Sequence, residues 1–185
     1  MWVNCRIFAE LITTQYYTMQ FTFRPAAPTE FPLILSLLKE AAQKLFDKGL
    51  EQWNVWLNPT PDKIDWIKEG FDANEFHIVE DDKDTVAGMF RLSYKDVLYW
   101  GENTDVAAYV HSLTVKKEYA GHKLGELVLN HIEQHLKSNN IYTFRLDCNA
   151  GNTWLCNYYE SQGFVKVGEK QMPHALNNLY QKQLS

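Results

Sequence analysis

Cysteine is scarce in this chain. The three residues, Cys5, Cys148 and Cys156, are odd in number and show no C-x-x-C spacing. That excludes a disulfide framework, argues against a metal site built on thiolates, and fits a reducing compartment. No apolar run approaches the roughly 20 residues of a membrane-spanning helix. The first residues carry Arg6 and a short apolar patch but no A-x-A-like cleavage site, so a signal peptide is not expected. Positive charge is not in excess either: 18 Lys and Arg stand against 23 Asp and Glu, a net charge of −5. Nonspecific binding to nucleic acid or to an anionic membrane is disfavoured. These absences predict a cytoplasmic protein with neither nucleic acid nor membrane as partner. A cationic small molecule, such as an amine, would be steered in better than an acid.

The residues that are present are ordinary in amount and informative in pattern. At 185 residues the chain suits one domain with a sizeable core. Aromatic residues make up 14%, enough for a large buried surface and a pocket wall. Residues 1–18 do not share the pattern of the rest of the chain and read as an extension, with the core domain over 19–185. Met19 to Arg24 alternates like an opening strand. A helix from Thr29 or Glu30 to about Lys48 carries Phe31, Ile34, Leu35, Leu38, Ala42 and Leu45 on one face. A second helix is expected at about 61–69. Strands are predicted at 75–80, 85–92 and 106–115, a helix at 121–137, a strand at 142–147, a helix at 152–162, and closing strands at 164–167 and 176–180. The order predicts a mixed α/β (α+β) fold, a mixed sheet flanked by helices.

Residues 111–125 carry the strongest local signal. A strand runs into a short loop and the first turn of a helix, the geometry that presents backbone N–H groups to a phosphate. Gly121 and Gly125 remove side chains where a ligand or strand comes close, and Lys123 adds charge. The loop is not a Walker A motif, because no Gly-Lys-Ser/Thr ending is present, and its glycine spacing is not that of a dinucleotide fingerprint. His131 and His135 share a helix face, but Ile132 stands where a zinc protease needs Glu, and the pair reads as solvated or half-packed. No metal is expected.

Two motifs together resemble the GNAT superfamily, the Gcn5-related N-acetyltransferases. The first is Leu113-Thr114-Val115 followed by Ala120-Gly121-His122-Lys123-Leu124-Gly125. Gly121 and Gly125 match, Ala120 replaces the usual Arg or Gln, and Lys123 replaces the usual central Gly. The second is Asn152, Tyr159, Gly163 and Phe164 in register, with Leu155 where Ala is usual. The resemblance spans roughly 19–182. It implies the GNAT fold, with splayed central strands and pantetheine lying between them against the backbone of Leu113, Thr114 and Val115. It implies acetyl-CoA as co-substrate, its pyrophosphate over residues 120–125, and Asn152 on the pantetheine arm. Tyr159 would protonate the leaving thiolate; Tyr158 is its neighbour and rival.

Direct transfer also needs a base to strip the acceptor's ammonium proton. His111 is the first candidate, read as sharing the strand face of Leu113 and Val115 by the period of two. Glu102 and Asp147 stand behind it. Cys148 is a rival as a nucleophile that forms an acyl-enzyme. By resemblance, Trp53, Trp56 and Trp66 wall the acceptor site. The expected activity is N-acetylation of a small-molecule or amino-acid-like amine. A non-catalytic acyl-CoA sensor and a peptide N-terminal acetyltransferase are the alternatives. Homodimers are common among relatives, so a homodimer is among the expected assemblies.

Overall fold

The first amphipathic stripe does form a helix. In the computed structural model, which describes residues 20–173 and 175–185, α1 runs Phe31–Phe46 and buries Ile34, Leu37, Leu38 and Ala42. Pro32 sits in its first turn, where a missing N–H costs little. The Glu30 carboxylate accepts from the Ala27 N–H and pairs with Arg24, which also pairs with Glu80. Residues 1–18, expected to be an extension, lie outside the described residues.

Helix α2 runs Pro61–Asp72, three residues longer than its pattern suggested. The strands are β1 Phe21–Pro25, β2 Phe76–Asp81, β3 Val86–Ser93, β4 Ala107–Val115, β5 Thr143–Asn149, β6 Val165–Gln171 and β7 Leu176–Gln183. Between β3 and β4 stands a single helical turn, α3 Val97–Trp100, absent from the sequence reading. Helix α4 is Leu124–Ser138 and α5 is Thr153–Ser161. The helix expected from Gly121 therefore starts three residues later, leaving 120–123 as loop.

The seven strands form one sheet in the order β1-β2-β3-β4-β5-β7-β6. Among the described residues, only β4 and β5 pair in parallel; every other neighbouring pair is antiparallel. Two cores result. One, on the α4/α5 face, holds Val79, Phe90, Val110, Leu146, Tyr159 and Tyr180. The other, on the α1/α2 face, holds Ile34, Leu38, Trp56, Ile67, Phe76 and Met89. The mixed sheet flanked by helices is as expected. Among the described residues, no helix is long and apolar enough to cross a membrane.

Two irregularities in the middle of the sheet matter most. β4 and β5 pair only from Ala107↔Thr143 to Tyr109↔Arg145 and then part. Among the described residues, no strand pairs with that edge of β4 from there to Val115. Second, β4 bulges against β3: the register passes from Met89↔Thr114 to Arg91↔His111, one extra residue on β4. Ser112 takes it up with φ 53°, in the left-handed region.

Candidate active site

The bulge redirects His111. Leu113 and Val115 pack on the α4/α5 core, as Val110 does. The His111 ring instead lies edge-on to Trp66 and 6.3 Å from Tyr99. The expectation that His111 shares the face of Leu113 and Val115 is therefore corrected. Strict period-two alternation fails across a residue that the ladder does not pair.

On β5, Leu146 and Cys148 belong to the α4/α5 core, so Asp147 faces the other way, beside His111. Its Oδ1 is 3.9 Å from His111 Nδ1. The other ring nitrogen, Nε2, is 3.6 Å from Oδ2 of Asp96, the N-cap residue of α3. An imidazole thus stands between two carboxylates where β4 and β5 have parted. Burial is the main cause of every shift here. It pushes His111 down to about 4, with Arg91 adding to the effect. It pushes Asp147 up to about 7, opposed by a 2.6 Å hydrogen bond from Asn177 and reinforced by Asp96. Asp96 is also raised. Near neutral pH His111 is uncharged, and Asp147 is the group whose proton affinity matches the medium.

The surroundings hold this cluster still. Arg91 pairs with Glu75 at 2.6 Å, donates to the Trp66 carbonyl at 2.9 Å, and lies 4.0 Å over the Trp66 ring. That fixes the ring against His111. Arg145, on the same face of β5 as Asp147, bonds Asp105, Tyr109 and Gln181 and lies over Trp100, anchoring the segment that carries Asp96.

Tyr159 lies on the opposite face, in the α4/α5 core, its ring against Phe164 and Tyr180. Burial, and then the charges of Cys148 and Asp147, raise its pKa well above the usual phenol range, so it keeps its proton. Tyr158 points elsewhere: a Cβ at position 125 would lie 2.9 Å from its hydroxyl oxygen. The two tyrosines divide the neighbourhood, Tyr159 under the strands and Tyr158 under the loop.

In the loop, Gly121 has φ 85° and open space where a Cβ would stand. Lys123 adopts φ 56°, ψ 22°, a conformation that favours glycine. The N–H of Ala120 bonds the Lys117 carbonyl and that of His122 bonds the Tyr119 carbonyl, so these two donors are committed within the turn. Gly121, Lys123, Leu124 and Gly125 flank the helix start, where the first N–H groups lack intrahelical partners. The Leu124 side chain is buried, and Lys123 Nζ lies 3.9 Å from Glu126. Tyr119 anchors the loop from below, donating to Asp81 at 2.7 Å. Asn152 caps α5, its Oδ1 accepting from the Leu155 N–H, while its Nδ2 donates to Gln52 at 3.4 Å.

Residues 36–164 match the profile of the family described as the Acetyltransferase (GNAT) family. The chain belongs to that family. A curated relative, the uncharacterized N-acetyltransferase YesJ of Bacillus subtilis (strain 168), is 28% identical over 148 residues, 78% of this chain and 81% of its own. A crystal structure of a GNAT acetyltransferase from Listeria monocytogenes 4b F2365 superposes with a TM-score of 0.74 at 27% identity, covering 89% of this chain and 95% of that one. A spermidine N-acetyltransferase chimera from Vibrio cholerae and hSSAT shares the fold, with a TM-score of 0.66 at 16% identity over 89% of this chain and 96% of that one. As a GNAT protein the chain is an N-acetyltransferase, in a family that uses acetyl-CoA.

The remaining sequence candidates occupy surface or core positions. Glu102 is on the surface beside Lys95. Trp56 is buried in the α1/α2 core against Trp66, and Trp53 packs on the same core. Of the three tryptophans, Trp66 is the one in ring contact with His111. Cys148 lies 3.6 Å from Cys156, and burial pushes its thiol far up, which disfavours the thiolate that a nucleophile needs. His131 stacks on Phe23 and His135 lies 3.4 Å from the Tyr94 hydroxyl, and both residues are exposed. The sequence reading missed Asp96, Tyr99 and Gln52. Only Asp96 carried a local signal, as an Asp positioned to cap a helical turn.

Proposed function

We propose that this protein transfers the acetyl group of acetyl-CoA directly to the amine of a small-molecule acceptor. The observation that carries the reading is the parting of β4 and β5 after three residue pairs, with Asp147 and His111 on one face and Tyr159 on the other. The arrangement supports approach from two sides. The acyl carrier lies along the free edge of β4, with Leu113, Thr114 and Val115 as backbone partners, as in ligand binding by strand addition. Its phosphates meet the N–H groups around Gly121, Lys123, Leu124 and Gly125. Asn152 offers its amide N–H to the pantetheine arm, since its oxygen already caps α5. The acceptor enters from the α1/α2 side, past Trp66 and Tyr99.

In the chemical step Asp147, adjoining His111, takes a proton from the acceptor nitrogen. The freed lone pair attacks the thioester carbonyl. As the tetrahedral adduct collapses, the C–S bond breaks and the Tyr159 hydroxyl protonates the departing thiolate. Asp147 replaces His111 as the preferred base in this scheme, because a group held near 4 accepts a proton poorly at neutral pH. The reading goes with a cytoplasmic setting in which Cys148 and Cys156 remain thiols.

The test is thiol release from acetyl-CoA with a panel of small amines and N-terminal peptides. Small amines should turn over. Tyr159→Phe should lower kcat by about 100-fold or more while leaving acetyl-CoA affinity within about two-fold. Binding of acetyl-CoA without turnover on any acceptor would favour a sensor instead.

A further inference from the structure

His77, His131 and His135 have no part in the acetyl-transfer scheme, yet the fold brings them to one place. They line a small cavity of about 20 Å³ with Phe90, Leu92 and Ile132. The polar side chains of that lining are the three imidazoles; the other three are apolar. On β2, Phe76 and Ile78 belong to the α1/α2 core, so His77 between them faces α4. His131 and His135 stand one turn apart on α4, beside the buried Ile132 and Leu136. The sheet separates this cavity from the His111 ring, which lies against Trp66 on the other face.

Two of the rings are already oriented. His77 stacks on Phe90 with centroids 4.9 Å apart, and its Nδ1 lies 3.1 Å from the Glu75 carbonyl oxygen. An Nδ1–H given to that carbonyl leaves Nε2 with its lone pair, the arrangement usual for a metal-bound histidine. His131 stacks on Phe23 with centroids 3.9 Å apart. His135 is the freest of the three, its Nε2 meeting the Tyr94 hydroxyl at a long 3.4 Å. Burial lowers the pKa of His77, against the pull of the Glu75 carbonyl, and that of His131; repulsion from His135 adds to both. Neutral imidazoles keep the lone pairs that a metal needs.

With no carboxylate or thiolate in the lining, the chemistry suits zinc, nickel or copper rather than magnesium or calcium. Two histidines at i and i+4 on one helix face are a recurrent zinc-binding pair. Ile132 in place of Glu removes a protease's general base and leaves the capacity to bind. Among the described residues, the group of three whose ligand atoms already lie within 4.8 Å is Asp96, His111 and Asp147. An ion in the histidine cavity therefore draws its ligands in by side-chain rotation, and both α4 histidines are exposed and free to turn. We propose that His77, His131 and His135 bind one divalent transition-metal ion of the zinc class, clamping α4 to β2 with a coordination position open to solvent. The proposal stands apart from the acetyl-transfer reading. Its consequence for the fold is that the ion ties the helix following loop 120–123 to the sheet.

The test is calorimetric titration of chelator-treated protein with Zn²⁺ alone, alongside thermal melting. The expected result is one Zn²⁺ per chain with a Kd of about 10 μM or tighter. Zn²⁺ should also raise the melting temperature, because it binds the folded chain preferentially. His131→Ala and His135→Ala, exposed helix positions where Ala is well tolerated, should each weaken binding by about ten-fold or more. His77→Gln should do the same; if it fails to fold, the two helix variants decide. His111→Asn, on the other face of the sheet, should leave the affinity within about two-fold. Absence of saturable binding up to about 100 μM Zn²⁺ overturns the proposal. So does binding that survives both His131→Ala and His135→Ala. Binding that His111→Asn abolishes while the helix variants keep it would place the ion with Asp96, His111 and Asp147 and overturn it equally.

Discussion

The loop at 120–125 and the cluster around His111, proposed here for the phosphates and for the acceptor, are built in opposite ways. The loop is contiguous: in the proposed reading residues 120–125 act through backbone donors at the start of α4, with Lys123 the one charged side chain among them. The cluster is assembled from β4, β5 and the turn before α3, and it works through buried side chains. A backbone site tolerates changes in side chain, so Ala120 and Lys123 can depart from the usual family pattern while the N–H groups remain. A side-chain site does not, because burial sets the ionisation of its members and Asp96 adds to the rise at Asp147. The loop should therefore fail mainly by steric filling, and the cluster by loss of a single atom.

The largest effect should come from the cluster. Burial raises Asp147 to about 7, so in the folded state it binds a proton more tightly than in the unfolded chain. Its contribution to stability is therefore lost as pH rises from about 4 to about 7. Asp147→Asn removes that cost and should stabilise the protein at pH 8 by at most about 4 kcal/mol, at about 1.4 kcal/mol per pKa unit. The same substitution should lower kcat by about 100-fold or more. Denaturant unfolding at pH 8 alongside turnover checks both halves. A variant that loses stability and activity together would make Asp147 a structural residue and erase the contrast.

Next in size is the loop. Gly121→Trp fills the open space above φ 85° and should weaken acetyl-CoA binding by about 100-fold, with the melting temperature little changed apart from local strain. Unchanged affinity by calorimetry would remove the loop from the site. The smallest effect is expected at Lys123. Lys123→Gly relieves a left-handed backbone and should stabilise the fold by about 0.5–1 kcal/mol. It should weaken acetyl-CoA by only about two- to five-fold, since the ammonium is exposed. A much larger loss would give the loop a side-chain dependence like that of the cluster.

The same contrast governs how much was legible in the sequence. Helix stripes such as Phe31 to Leu45, and the glycine-marked loop, are local patterns, and the fold followed from them with errors of a few residues at the ends. Tyr159 was preferred to Tyr158 on motif register alone; the structure puts Tyr159 in the α4/α5 core and the Tyr158 hydroxyl beside Gly125. His111 was found, but its direction was misread, because the extra residue at Ser112 carries no compositional mark. The place of Asp96 beside His111 was invisible in the sequence. An Asp before a helical turn looks the same whether its second oxygen meets water or a buried histidine, and only the tertiary fold decides that. Trp66, rather than Trp53 or Trp56, meets the site because Arg91 on β3 holds it there, a contact across 25 residues.

The central claim is that acetyl transfer runs through a proton acceptor at the parting of β4 and β5. The pH dependence of kcat/KM, for any amine the enzyme accepts, tests it most directly. The account predicts a rise with pH through an inflection near 7, set by Asp147 and separate from an alkylamine's own titration at about 10. The inflection near 7 should disappear in Asp147→Asn. A profile with no inflection near 7, or one that Asp147→Asn leaves in place, would contradict it.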